Sequence, residues 1–434
     1  MKLNVKRTIL VGFAFLSISA FWQMYDNLVP KILTETFGVG ESISGVIMAS
    51  DNVLALFLLP LFGGLSDKCT SRLGRRRPFI LFGTLTAVAL MMVLPLLTDS
   101  YHAAPATWKT VCFVVTLGAL LITMGTYRSP AVALMPDVTI KPLRSKANAV
   151  INLMGTAGGI LVLVMGKVFA TSAVENALMS YTVYYAIIAG LMLVSLAIFL
   201  ATVRESKWAN QMTQDSIRLG IEEKEEVYGE KRSLSASEKR SLILILLSVA
   251  LWYFGYNAVT SKYSVYATNI LSKDYNTTML LAQAAAVVAY LPAGMVASKV
   301  GRRKTILAGV VMLTVAFGAA AFMRSDSPTW LMNVLFALAG IAWATINVNS
   351  FPMVVEMCSD SDIGKYTGYY YTASMAAQIA TPVLSGFFMD AVAETVLFPY
   401  AAIFVGLALF TMAMVKHGDT KVAAAKGLEA LDVD

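Results

Sequence analysis

Gly63-Gly64-Leu65-Ser66-Asp67-Lys68-Cys69-Thr70-Ser71-Arg72-Leu73-Gly74-Arg75-Arg76-Arg77-Pro78-Phe79-Ile80 lies between two long apolar segments and gathers five cations into one short stretch. A basic knot flanked by hydrophobic spans is held on the cytoplasmic side of a membrane. The segment before it is therefore expected to run inward and the one after it outward. Composition agrees: of 434 residues, 57% are hydrophobic and only 14% charged, more apolar surface than one water-soluble core could hide.

Stretches of about twenty apolar residues, enough to cross a hydrocarbon core of roughly 30 Å, recur along the chain about twelve times. In the first half they run near Thr8 to Pro30, Ser42 to Ser66, Pro78 to Leu97, Trp108 to Met135, Ala147 to Thr171 and Tyr181 to Thr202. In the second half they run near Ser241 to Ile270, Asn276 to Ser298, Thr305 to Met323, Thr329 to Val355, Tyr366 to Asp390 and Val396 to Val415. With both termini in the cytoplasm, the Arg72 knot, Lys141, Arg144, Lys146, the linker cations and Lys299 to Lys304 all face inward, as insertion requires. The net charge of +7 is then a topology signal and gives no support to nucleic-acid binding. Lys2, Lys6 and Arg7 precede an apolar run that continues through Pro30 without a small-residue cleavage site, which predicts a retained first helix.

Cys69, Cys112 and Cys358 are scattered, and the two histidines, His102 and His417, are far apart, so neither a disulfide framework nor a metal cluster is expected. No nucleophile motif, Walker loop or dinucleotide fingerprint appears, so the chain reads as no enzyme and as needing no cofactor. The one long polar stretch, 204–240, divides a first six-span half, 1–203, from a second, 241–434. The halves repeat one another. Gly63-x-x-x-Asp67-Lys68 with Gly74-Arg75-Arg76 returns as Gly294-x-x-x-Ser298-Lys299-Val300-Gly301-Arg302-Arg303; Pro105-Ala-Thr-Trp108 echoes Pro328-Thr-Trp330; Asp137 before Lys146 echoes Glu356 before Lys365. Such repeats are common in transporters, with substrate bound near the midplane at the repeat interface.

Two sets of six helices with Gly-x-x-x-Asp-Lys and Gly-Arg-Arg between the second and third resemble the major facilitator superfamily over the whole chain. Within it, Ser66-Asp67-Lys68-Cys69-Thr70-Ser71-Arg72-Leu73-Gly74-Arg75-Arg76-Arg77-Pro78-Phe79-Ile80 resembles the extended loop of the sucrose-proton symporters, a group near the glycoside-pentoside-hexuronide cation symporters. The resemblance implies an all-α membrane fold of two pseudo-symmetric six-helix bundles and secondary transport of glycosides, often driven by protons. It also brings departures. Where the family pattern carries an arginine this chain has Val132, and where it carries a membrane aspartate this chain has Leu121.

Ionisable groups inside spans are costly and mark functional cavities. Asp26 and Asn27 lie in the first span, Asp51 and Asn52 in the second, and Arg128 in the fourth, one turn from Val132 on the same helix face. On a 1.5 Å rise, Asp51 stands roughly 24 Å and Arg128 roughly 14 Å above the inner surface. Asp51, then Asp26, are the expected proton-coupling groups, since burial and a nearby cation act in opposite senses on a carboxylate. Arg128 is the expected substrate or carboxylate partner.

Sugars need amides and aromatic faces. Asn152, Trp252, Tyr256, Asn257, Gln283, Trp343, Asn347, Asn349, Tyr370 and Gln378 stand on spans expected to line the cleft, and each can alternatively join helices. Gly155, Gly158 and Gly159 suit close helix packing, and Lys262 suits snorkelling to the interface. Asp67, Arg75, Arg76, Asp137 and Glu356 are the expected inner-gate residues; an aspartate at a helix end stabilises a neighbouring helix N-terminus, and the arginines bridge acids such as Asp137. The resulting expectation is a monomeric carrier of the plasma (inner) membrane that moves a disaccharide or related glycoside with H+. Na+ coupling, uniport and a non-transporting sugar sensor are the alternatives.

Overall fold

The computed structural model describes residues 3–140, 143–172, 180–218, 234–355, 357 and 363–419. Among them the ordered elements are helical, with no strand. The helices are α1 (Val5–Lys31), α2 (Glu41–Asp67), α3 (Arg77–Ala103), α4 (Thr107–Asp137), α5 (Arg144–Val168), α6 (Thr182–Thr202), α7 (Glu205–Arg218), α8 (Ala236–Tyr266), α9 (Tyr275–Val300), α10 (Arg302–Ala320), α11 (Thr329–Val355), α12 (Ile363–Ala391) and α13 (Leu397–Ala413). Each of the dozen expected spans has its helix. The additional one, α7, folds out of the polar stretch between the halves and is amphipathic, with Glu205 and Trp208 buried and Lys207, Asp215 and Arg218 exposed. Among the described residues, 10 helical segments are long and apolar enough to cross a bilayer, and the chain is a multi-pass membrane protein.

The chain divides into two compact units, Met1–Val39 with Ser50–Glu222, and Gly40–Ala49 with Glu223–Asp434. In the first unit α1 packs along α5 and α6, and α3 packs along α4 and α6. In the second, α8 packs along α12 and α13, and α10 along α11 and α13, so the sequence repeat returns as a repeat of helix contacts. Lipid tails are as apolar as leucine, so such seams rest on close packing and buried polar contacts. The α1–α5 seam shows the first. A Cβ at Gly158 would run into the Leu16 carbonyl oxygen, so only glycine lets these backbones meet.

Side-chain caps close the starts of α1, α8 and α9. Asn4 accepts from the Arg7 amide at 3.1 Å, Ser235 and Glu238 form a reciprocal capping box at α8, and Asp274 accepts from the Asn276 amide at 3.0 Å at α9.

Candidate functional site

The first unit brings its membrane charges together. Asp26 on α1, Asp51 on α2 and Arg128 on α4 lie near enough for each charge to act on the others, and all are half-buried. Asp51 accepts from the Asn52 side-chain amide at 2.8 Å. Among the described residues no ion pair within 4.0 Å forms at Arg128; its guanidinium instead lies 5.4 Å from the centre of the Trp22 ring. Asn27, only 3% exposed, has a side-chain oxygen with no hydrogen-bond partner. Of the two positions where the family charges are replaced, Leu121 is buried and Val132 is exposed. Asn152, on α5, is exposed.

The second unit gathers the aromatic and amide residues. Tyr256 on α8 stacks on Trp343 of α11 with ring centres 3.6 Å apart and planes 5° apart, and Tyr253 meets the same indole edge-on at 5.2 Å. Beside them the Asn257 side-chain nitrogen has no partner. Ser350 and Tyr370 share a hydroxyl contact at 2.9 Å, and Gln378 is half-buried on α12. Asn347 and Asn349 each donate a side-chain amide N–H to their own helix, at the Trp343 and Thr345 carbonyls, at 3.2 and 2.9 Å. Trp252 is fully buried, with its indole nitrogen unpartnered.

The basic loop is built around Arg76. Its guanidinium donates to Asp137 at 2.9 Å and to Asp67 at 2.5 Å, and also reaches Ser66 and the Gly63 carbonyl, so α2, α3 and α4 are tied at one end of the unit. Burial alone pulls this arginine toward its neutral form, but Asp137 and then Asp67 outweigh it and hold its pKa above the usual value. Arg75, half in solvent, stands 3.7 Å from Asp137. Capping of the neighbouring helix falls to Glu205, not to Asp67. The Glu205 carboxylate accepts from the Arg75, Arg76 and Arg77 amides at 2.8, 2.9 and 3.0 Å, where Gly74 turns the chain at φ +112°. The second unit repeats the device: Gly301 turns at φ +97°, and Asp419, just beyond α13, accepts from the Arg302 amide at 2.6 Å. Glu356 lies outside the described residues, as does Cys358.

Lys262 does not snorkel. It is 0% exposed and donates to the Glu41 carboxylate at 2.6 Å and the Glu41 carbonyl at 2.9 Å. A lysine in hydrocarbon snorkels when its stem reaches the interface, whereas this one finds an acid within the second unit. Asp390, at the end of α12, accepts from the Glu41 and Ser42 amides at 3.0 and 2.7 Å and so caps the start of α2. Lys31 is buried in the same way and donates to the Thr171 carbonyl at 2.6 Å. A signal for both lysines was present in the repeat. The register that pairs Gly63 with Gly294 also pairs Phe21-Trp22-x-x-Tyr25-Asp26 and Lys31 with Trp252-Tyr253-x-x-Tyr256-Asn257 and Lys262. It also sets Asp26 opposite Asn257, an acid in one half where the other has its amide.

Comparison with known proteins matches this architecture. The model of the MFS/sugar transport protein family matches residues 10–377. Among curated relatives, the sucrose transport protein SUC3 of Arabidopsis thaliana is 31% identical over 152 residues, 32% of this chain and 25% of that protein. The sucrose transport protein SUT3 of Oryza sativa subsp. indica is 31% identical over 158 residues, 32% of this chain and 30% of that protein. The matched part thus spans less than a third of either relative. Among solved structures, the inward-open xylose transporter XylE from E. coli aligns over 98% of both chains with a TM-score of 0.67 at 15% identity. A bacterial homologue of the iron transporter ferroportin aligns over 95% of this chain and 99% of its own with a TM-score of 0.69 at 13% identity, so these likenesses concern the fold. With a family model covering most of its length and two six-helix halves that repeat in sequence and in packing, this chain belongs to the MFS/sugar transport protein family.

Proposed function

We propose that this protein is a secondary carrier that moves a disaccharide or related glycoside by alternating access, in symport with H+. The observation that carries this reading is the set Asp26, Asp51 and Arg128: three ionisable side chains inside membrane spans, within range of one another, with no close ion pair at the arginine among the described residues. A purely structural charge in hydrocarbon would be paired, because an ionised group left alone there is costly. Charges left within reach but not joined can exchange partners during a cycle. Asp51 is assigned the coupling proton with Asp26 in support, and Arg128 the sugar hydroxyls, which its planar fork of donors suits.

Asn257 and the Tyr256–Trp343 pair supply the amide and aromatic face that sugars prefer. The cluster of Asp67, Arg75, Arg76 and Asp137 serves as the inner gate, at the cytoplasmic face that its positive charge selects. The same charge bias favours both termini inside, and the plasma (inner) membrane is the location assigned with this reading.

The test is counterflow and uptake of a panel of labelled glycosides in proteoliposomes under imposed pH or Na+ gradients. Concentrative uptake driven by a pH gradient is expected. Uptake that follows Na+ alone, or no gradient, would replace the H+ assignment. No counterflow with any sugar would leave the sensor reading.

A further inference from the structure

The geometry points to Trp22 as the residue that positions Arg128 for its ligand, by carrying the guanidinium on its indole face and so leaving the in-plane N–H donors unspent. The inference rests on the proposed role of Arg128 in binding sugar. It begins from a question of partners. A guanidinium inside a membrane span needs compensation, and Asp26 and Asp51 are close enough to influence Arg128 but form no ion pair within 4.0 Å among the described residues. What the structure places against it is the Trp22 ring, 5.4 Å from centroid to guanidinium carbon, within the roughly 6 Å over which a cation and an aromatic face attract. A carboxylate would stabilise the arginine by occupying its donors. An aromatic face stabilises it without taking any, since the ring quadrupole acts on the flat face while hydrogen bonds leave from the edge.

Trp22 is held for this task. Phe21 meets it edge-on at 5.2 Å and Tyr25 at 5.3 Å, which fixes the plane the guanidinium sees. Its indole nitrogen is buried without a partner, so the residue is not kept in place as a hydrogen-bond donor. The repeat supplies a second observation. The counterpart of Trp22 is Tyr253, whose ring lies 5.2 Å from Trp343 on α11, the counterpart of α4. First and fourth helices therefore meet through an aromatic ring in both units, and among the described residues only the first unit sets a cation on it.

Fluorinated tryptophans at position 22 separate this role from packing, because fluorine withdraws charge from the ring face while hardly changing its shape. In the full-length chain in proteoliposomes, with the glycoside that gives the strongest counterflow in the panel, the half-saturation concentration should climb with each added fluorine, about tenfold across the series. The maximal rate should change little, W22F should retain partial affinity, and W22L should lose the most. A half-saturation concentration that ignores fluorination overturns the inference while leaving Arg128 in place, provided R128Q still abolishes binding. Wild-type binding by R128Q refutes the reading of Arg128 and the inference together. If R128Q keeps weak binding, the fluorine series should be flat in that background; a slope that persists there would mean that Trp22 touches the sugar itself, which also overturns the positioning role.

Discussion

Replacing Glu41 by glutamine removes the carboxylate that faces Lys262 and leaves the shape of the contact intact. The lysine is 0% exposed, with its ammonium 2.6 Å from the Glu41 carboxylate and 2.9 Å from the Glu41 carbonyl. E41Q therefore takes from a buried cation the carboxylate it contacts and leaves it, among the described residues, the charge of Asp390 alone, so the loss should lie toward the low end of the about 3–5 kcal/mol typical when one member of a buried pair is removed. K262M should also be destabilising, since the acid it leaves behind is itself buried, with only 9% of its side chain exposed. In E41Q/K262M the stranded cation is gone, so the double variant should be more stable than E41Q alone. Equilibrium unfolding in mixed detergent micelles, analysed as a double-mutant cycle, measures the coupling. A loss below about 1 kcal/mol in E41Q, or costs that simply add in the double variant, would refute the assignment of this pair as a buried ionic contact.

Other outcomes follow from the same geometry. E205Q should loosen the start of α3, which donates three backbone amide hydrogen bonds to that carboxylate, by about 1–2 kcal/mol, with faster proteolysis in the Arg72–Arg77 loop. D67N should cost under about 1 kcal/mol, because Asp67 is 58% exposed and Arg76 keeps Asp137. W343L, which dismantles the stack with Tyr256, should weaken sugar half-saturation by about tenfold while leaving the protein folded, as judged by unchanged elution of the purified carrier. D51N should retain sugar exchange but lose accumulation against a gradient; unchanged accumulation would remove Asp51 from coupling.

Much of the fold was legible in the sequence because a bilayer imposes length, hydropathy and charge bias directly on the chain. The dozen helices and the repeat of the Gly63 region at Gly294 follow from those constraints; Asp26, Asp51 and Arg128 were visible singly, as charges costly in hydrocarbon, but their mutual approach was not. What escaped was set by long-range partners. Lys262 finds Glu41 across 221 residues and Arg75 finds Glu205 across 130, and no local spacing announces either contact. The capping role first given to Asp67 passes to Glu205 for the same reason. Asn347 and Asn349 were visible as polar residues in a span, but their donation to carbonyls four residues back on α11 depends on rotamers that composition does not reveal.

The central claim is that a sugar and a proton cross together. In proteoliposomes carrying a trapped pH indicator and no imposed gradient, adding the transported glycoside outside should acidify the lumen, and D51N should abolish that acidification while sugar still exchanges. Sugar entry with no change of internal pH in the parent protein would contradict it.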